Sequence, residues 1–192
     1  MQKYLIAGLG NVGAEYDKTR HNIGFDVLDA LALKHKVVFE SDRFADLASF
    51  SFKGKGFVCI KPTTFMNLSG RSVRYWMEKE SVPVENILVI VDDIALPLNR
   101  LRIRKGGSSG GHNGLKSIEE YLKTQDYAKL RFGVGNDFAK GRQADYVLGR
   151  WQKEEVRQVE MKVDACVEIV ESFALSGADN TMNRFNKISF DL

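Results

Sequence analysis

Six residues whose types can move a proton or hold a polar substrate fall in, or beside, what read as loops at strand ends: Asn11, His21, Asn67, Asp92, His112 and Asn113. Histidine with a carboxylate can do acid–base chemistry near neutral pH, and asparagine amides offer donors and acceptors that stay neutral at every pH. One loop asparagine is usually only a turn former. Three of them, with a histidine and a carboxylate, point to a site, because open α/β sheets build their sites in such loops.

Three familiar glycine motifs are imitated and each fails on context. Gly8-x-Gly10-x-x-Gly13 matches the dinucleotide fingerprint, but nine mostly polar residues separate Gly13 from the first helical apolar position, Ile23. The helix that should hold the pyrophosphate therefore starts too late. Gly106 and Gly111 have P-loop spacing, yet His112-Asn113 follows where Lys and Ser or Thr are needed. Gly107-x-Ser109-x-Gly111 resembles a nucleophile elbow, but no histidine lies downstream except His112, three residues on. Ser109 reads as part of a flexible loop with backbone amides open to an anion. Asp92-Asp93 lacks further metal ligands at any recognisable spacing, and Cys59 and Cys166 are far apart in apolar surroundings, so no metal, cofactor or disulfide is expected.

The elements that must position these residues follow from apolar spacing. Tyr4 to Ala7 reads as a buried strand, and Ile23, Val27, Leu28 and Leu31 mark one face of a helix ending near Lys36. Leu47 to Phe52 and Phe57 to Ile60 form a hairpin through Lys53 to Gly56. A helix begins close to Ser69, a suitable cap, and carries Val73, Trp76 and Met77. Ile87 to Val91 is a strand covered on both faces and ends in Asp92-Asp93. Leu98 to Lys105 is a strand leading into the glycine loop, followed by a helix through Leu115, Ile118 and Leu122 and a strand over Leu130 to Val134. Val156, Val159, Val163, Val167, Val170 and Phe173 mark one face of a long C-terminal helix from about Glu154 to Leu175. The alternation predicts a single three-layer α/β domain over residues 1–192, with a mixed, partly parallel sheet flanked by helices. The polar stretch Asn136 to Arg150 is a candidate mobile cover over a site.

Composition sets outer bounds. A chain of 192 residues, 44% hydrophobic, can bury one sizeable core. No signal peptide or membrane span is legible, so the expected location is the cytoplasm. A net charge of +3 and a pI near 8.8 are too mild to establish a nucleic-acid partner.

Four motifs taken together resemble the bacterial peptidyl-tRNA hydrolase family. They are Gly8-Leu9-Gly10-Asn11 with Tyr16 and Thr19-Arg20-His21-Asn22-Ile23-Gly24; Lys61-Pro62-Thr63-Thr64-Phe65-Met66-Asn67-Leu68-Ser69-Gly70; Val91-Asp92-Asp93; and Gly110-Gly111-His112-Asn113-Gly114-Leu115-Lys116-Ser117-Ile118. The order is the same and nearly the whole chain is covered. Val12 stands where the family commonly has Pro, and Ala95 where it has an acidic residue. Both departures bear on loop rigidity more than on chemistry.

The resemblance implies a metal-independent hydrolase cutting the ester between a peptide and the 3′ end of tRNA. His21 would be the general base, since an imidazole can take a proton from water near neutral pH and release it. Asp92 would accept a hydrogen bond from the far nitrogen of that imidazole. Asn11 would help tell a blocked α-amino group from a free one, and Asn67 and Asn113 would bind the acylated 3′ end. Tyr16, Phe65, Met66 and His112 would line the same crevice, with Phe65 placed to stack on the terminal base. Arg100, Arg102 and Arg104 alternate on one strand face, about 6.7 Å apart, as a rail for phosphates. Arg104 or Lys105, with Arg131, are the implied phosphate contacts. The substrate partner would be peptidyl-tRNA; a monomer without membrane or obligate protein partner is expected. A module of the same fold that binds RNA without catalysis is the competing reading.

Overall fold

The computed structural model describes residues 1–192 as a three-layer domain around a seven-stranded mixed sheet. In chain order the elements are β1 (Gln2–Gly8), α1 (Ile23–Lys34), β2 (Glu40–Asp42), β3 (Ala45–Phe52), β4 (Lys55–Pro62), α2 (Ser69–Lys79), β5 (Ile87–Asp93), β6 (Leu101–Arg104), α3 (Asn113–Leu122), β7 (Ala128–Gly133), α4 (Gln143–Val147), α5 (Val156–Ser176) and α6 (Ala178–Phe185). The strand order is β2-β3-β4-β1-β5-β7-β6. The four central strands, β4, β1, β5 and β7, run parallel, and antiparallel pairs close both edges.

Period-two alternation divides the core between two faces. Tyr4, Ile6, Leu88, Ile90, Leu130 and Phe132 pack with α1, α5 and α6, while Leu5, Ala7, Val89 and Val91 pack with α2 and α3. The run Ile87 to Val91 is apolar throughout because β5 is covered on both sides. From β1 the chain goes to one side of the sheet and from β5 to the other, so the ends of β1 and β5 flank the topological switch point. Sites of open α/β sheets form there.

A close backbone approach holds α1 against that point. A β-carbon on Gly8 would strike the Gly24 carbonyl, and one on Gly24 would strike the Leu9 amide and the Ile90 carbonyl. Gly24→Ala is therefore expected to cost about 1–3 kcal/mol through overpacking. Denaturant unfolding of the variant measures this, and a midpoint equal to that of the parent chain would show that α1 can shift freely.

Several sequence expectations need correction. The hairpin turn is only Lys53-Gly54, both at positive φ (48° and 80°), the two-residue geometry that suits strand twist, so β3 and β4 run longer than apolar content alone suggested. Ser69 is the first residue of α2 rather than its cap, and its hydroxyl donates to the Met66 carbonyl. The strand expected over Leu98 to Lys105 shrinks to β6, because residues 97–100 form a hydrogen-bonded turn. Val156, expected on the buried face of the C-terminal helix, is exposed. Asn136 to Arg150 contains α4, pinned by the Tyr146 hydroxyl donating to the Val134 carbonyl at 2.6 Å.

Besides α4, the sequence pattern does not announce β2 or α6. The Asn186 amide just beyond α6 accepts from the Ile103 N–H and donates to the Ile103 carbonyl, occupying the open edge of β6 as a strand would. No helix is long and apolar enough to cross a membrane.

Candidate active site

The end of β5 delivers Asp92 into the switch point, almost fully buried. A 3-10 turn, Arg20–Asn22, brings His21 to it from the start of α1, and the glycine loop brings His112 from the start of α3. The Nδ1 of His21 lies 2.9 Å from both Asp92 oxygens. The Nε2 of His112 lies 2.9 Å from Oδ1. Burial by itself would raise the Asp92 carboxyl; electrostatic attraction to His112 and its hydrogen bond, then those of His21, outweigh it and hold the group well below the usual carboxylate range.

Hydrogen-bond counting then fixes both tautomers. His112 is the N-cap of α3, its Nδ1 accepting from the amides of Gly114 (3.1 Å) and Leu115 (3.4 Å). That nitrogen must be bare, so the proton sits on Nε2 and is given to Asp92. An ionised carboxylate is acceptor-only, so His21 also gives Asp92 its Nδ1 proton. What remains is the lone pair on His21 Nε2, able to take a proton.

The cleft is small, about 100 Å³, and is lined by His21, Asp92, Gly111, His112 and Asn113, together with Gln143 and Val147 of α4. Asp93 lines it too, although the alternation of side chains along a regular strand would turn it away from Asp92. Regular strand geometry stops at that residue, whose Oδ1 instead accepts from the Ala95 amide.

Of the three asparagines, only Asn113 lines this cleft. Asn11 opens onto the neighbouring hollow, and its Oδ1 is occupied by the Met66 amide at 3.0 Å. Its backbone is gripped by Asn22, which accepts from the Asn11 N–H and donates to the Asn11 carbonyl, both at 2.8 Å. Asn67 is exposed in a 3-10 turn, Met66–Leu68, that packs beside the start of α3, where Gly114 leaves room for the Met66 sulfur. Phe65 is 62% exposed and Tyr16 half-buried, so neither is spent on the core.

Sequence reading assigned His112 to substrate binding; its two nitrogens are instead committed to Asp92 and the α3 cap. Together with His21 and Asp92 it forms a group whose ligand-type atoms lie within 4.8 Å, an arrangement that spacing along the chain does not announce. These atoms meet one another at hydrogen-bond distance.

Asn22, Arg20 and Gln143 were not singled out. Arg20 gives its guanidinium to the Tyr146 carbonyl and to Glu155, and stacks 4.1 Å from the Tyr146 ring. It ties the turn carrying His21 to α4 and α5. Adjacency to His21 was the only signal for Arg20 and Asn22.

The basic rail is shorter than the sequence suggested. Arg102 and Arg104 are exposed on β6, but Arg100 lies before that strand and donates to the Asn186 carbonyl. Lys105 pairs with Asp179 at 2.8 Å. Arg131 donates to the Ser108 carbonyl at 2.6 Å and lies 3.7 Å from Asp93, so it orders the glycine loop.

Comparison with known proteins shows the family of the chain. A family model described as peptidyl-tRNA hydrolase matches residues 5–191. Peptidyl-tRNA hydrolases of Phocaeicola vulgatus and Bacteroides fragilis are each 54% identical over 185 residues, covering 96% of this chain and 99% of theirs. That of Listeria monocytogenes is 38% identical over 184 residues, covering 95% and 98%. The crystal structure of the Acinetobacter baumannii peptidyl-tRNA hydrolase superposes with a TM-score of 0.92 at 30% identity, covering 98% of this chain and 96% of that one. From end to end, in sequence and in backbone, the chain belongs to the peptidyl-tRNA hydrolase family.

Proposed function

We propose that the protein hydrolyses the ester joining a peptide to the 3′ end of tRNA, with His21 as general base. The observation that carries this reading is the bond from His21 Nδ1 to buried Asp92, which leaves Nε2 free to accept a proton. The Nε2 lone pair takes a proton from water as the water oxygen bonds to the ester carbonyl carbon. The imidazolium formed is stabilised by the Asp92 charge. When the tetrahedral intermediate collapses, the carbon–oxygen bond to the ribose breaks and the imidazolium returns its proton to the leaving 3′ oxygen. The Asn113 amide and the positive end of α3 are suited to the developing oxyanion.

Asn11, held by Asn22 and Met66, keeps its amide NH₂ for the peptide carbonyl next to the ester. Asn67, Tyr16, Met66 and Phe65 form the surface on which the acylated 3′ end lies. The α4 segment is the cover of the cleft, a role supported by Gln143 and Val147 lining it together with His21. The protein acts in the cytoplasm as a monomer.

Purified protein incubated with N-acetyl-aminoacyl-tRNA and with free aminoacyl-tRNA should deacylate the first only, releasing N-acetyl-amino acid and tRNA. Binding of both without release would favour the RNA-binding module. Turnover is also expected to be unchanged after prolonged chelation, because His21, Asp92 and His112 satisfy one another through hydrogen bonds. A loss restored by a divalent cation would reassign the three groups as ligands.

Arg102 and Arg104 are the proposed phosphate contacts. Replacing both by Ala should raise KM for tRNA, leave kcat unaltered and lower the slope of log KM against log salt by about 2. A slope that stays the same would remove the assignment.

A further inference from the structure

A groove of about 630 Å³ between α1 and α5 is far larger than the catalytic cleft and has no part in the chemistry above. Its floor is apolar, from Ala30 and Leu33 of α1 to Trp151, Val159 and Val163, and Leu33 is left 82% exposed. Its walls carry four carboxylates, Asp26, Asp29, Glu160 and Asp164, against two cations, Lys18 and Arg150. Lys18 pairs with Asp26, and Arg150 is committed to the Asp17 and Ala14 carbonyls. Glu160 and Asp164, one helical turn apart on α5, have no cationic partner. Like charges at that spacing repel unless a cation comes between them.

The groove continues toward the active site. The hollow beside Asn11 shares Lys18, Asp26 and Asp29 with it, so the two adjoin across the Lys18–Asp26 and Lys61–Asp29 pairs and together make an acidic trough leading from Asn11 toward the α1–α5 surface. From Phe25 to Leu33 the helix advances about 12 Å, the reach of about four extended residues. An acidic trough repels phosphate, so RNA is not its occupant, although the chain as a whole is basic.

We infer that this trough holds the distal part of the substrate's peptide, and favours chains that are apolar and positively charged there. The inference rests on the hydrolase reading and adds a selectivity to it. Burial of apolar side chains against Leu33, Trp151 and Val159 would supply affinity, and Glu160 with Asp164 would receive lysine, arginine or a free α-amino group.

The test compares three substrates, N-acetyl-aminoacyl-tRNA and two octapeptidyl-tRNAs that differ only in distal residues, Leu and Lys against Ser and Glu. The cationic octapeptide should be preferred about fivefold or more in kcat/KM. Glu160→Lys/Asp164→Lys should abolish or invert this preference, and Leu33→Asp should weaken it, with turnover of the short substrate kept in both. These side chains are exposed, so folding is not at stake.

Free cationic octapeptide should also change the emission of Trp151 in the parent chain but not in the double-lysine variant. Equal kcat/KM for the two octapeptides, or a preference that survives both variants, overturns the inference. Trp151 binding without any substrate preference would likewise overturn it and assign the groove to a separate basic protein segment. Should the parent chain leave even the short substrate intact, the hydrolase reading fails, and the Trp151 titration still reports whether the groove takes a cationic peptide.

Discussion

His21→Ala is expected to lower kcat by at least about 10², the usual size for a lost general base, while KM for tRNA changes little. The separation follows from geometry. His21 meets the Asp92 carboxylate and the small cleft, whereas the exposed arginines proposed to hold phosphates sit on β6 at the sheet edge. Loss of the imidazole also frees one carboxylate oxygen, but His112 still donates to the other, so the buried charge is not stranded. The fold should therefore survive, and a circular dichroism spectrum like that of the parent would confirm that the rate loss is chemical. Single-turnover hydrolysis with saturating enzyme isolates the step. A variant that cleaves at near-parental rate would exclude His21 as the base.

Asp92→Asn is expected to cost less, about 10-fold to 10² in kcat. Removing the charge withdraws stabilisation from the imidazolium. An asparagine oxygen at the Oδ1 position, however, could still accept from both histidines, because Oδ1 is the atom they share. Correct tautomers can thus be kept, and the penalty stays below that of losing the ring.

The same substitution has a pH signature in stability. The folded Asp92 carboxyl is held below its unfolded pKa of about 3.9, so the unfolded chain binds the proton more readily. Its contribution is then fully present above about pH 5 and fades as pH falls through 4 toward the depressed folded value. The stability gap between parent and Asp92→Asn should be widest near neutrality and narrow below about pH 4. A gap of constant size from pH 7 to 3 would mean that the carboxylate is not held in this way.

Legibility differed between elements for identifiable reasons. Ile87 to Val91 was readable because a strand covered on both faces is apolar at every position, and its exit at Asp92 follows from the chain alone. The helix carrying Val159, Val167 and Val170 was readable from its single buried stripe. By contrast β2 is three exposed residues paired only with β3, and α6 buries little beyond Thr181 and Phe185, so neither carries a periodic signal.

The candidate site divides along the same line. Residue types, loop positions and the four motifs were enough to name the family and to single out His21, Asp92 and Asn113, because local chemistry and spacing are written in the chain. The use of His112 as a second donor to Asp92, the grip of Asn22 on Asn11, the diversion of Arg131 to the glycine loop and the trough between α1 and α5 were decided only in three dimensions. Each depends on which hydrogen-bonding group or apolar face meets another from a distant part of the chain. Sheet order and close backbone approach set those meetings, and no periodicity along the sequence encodes them.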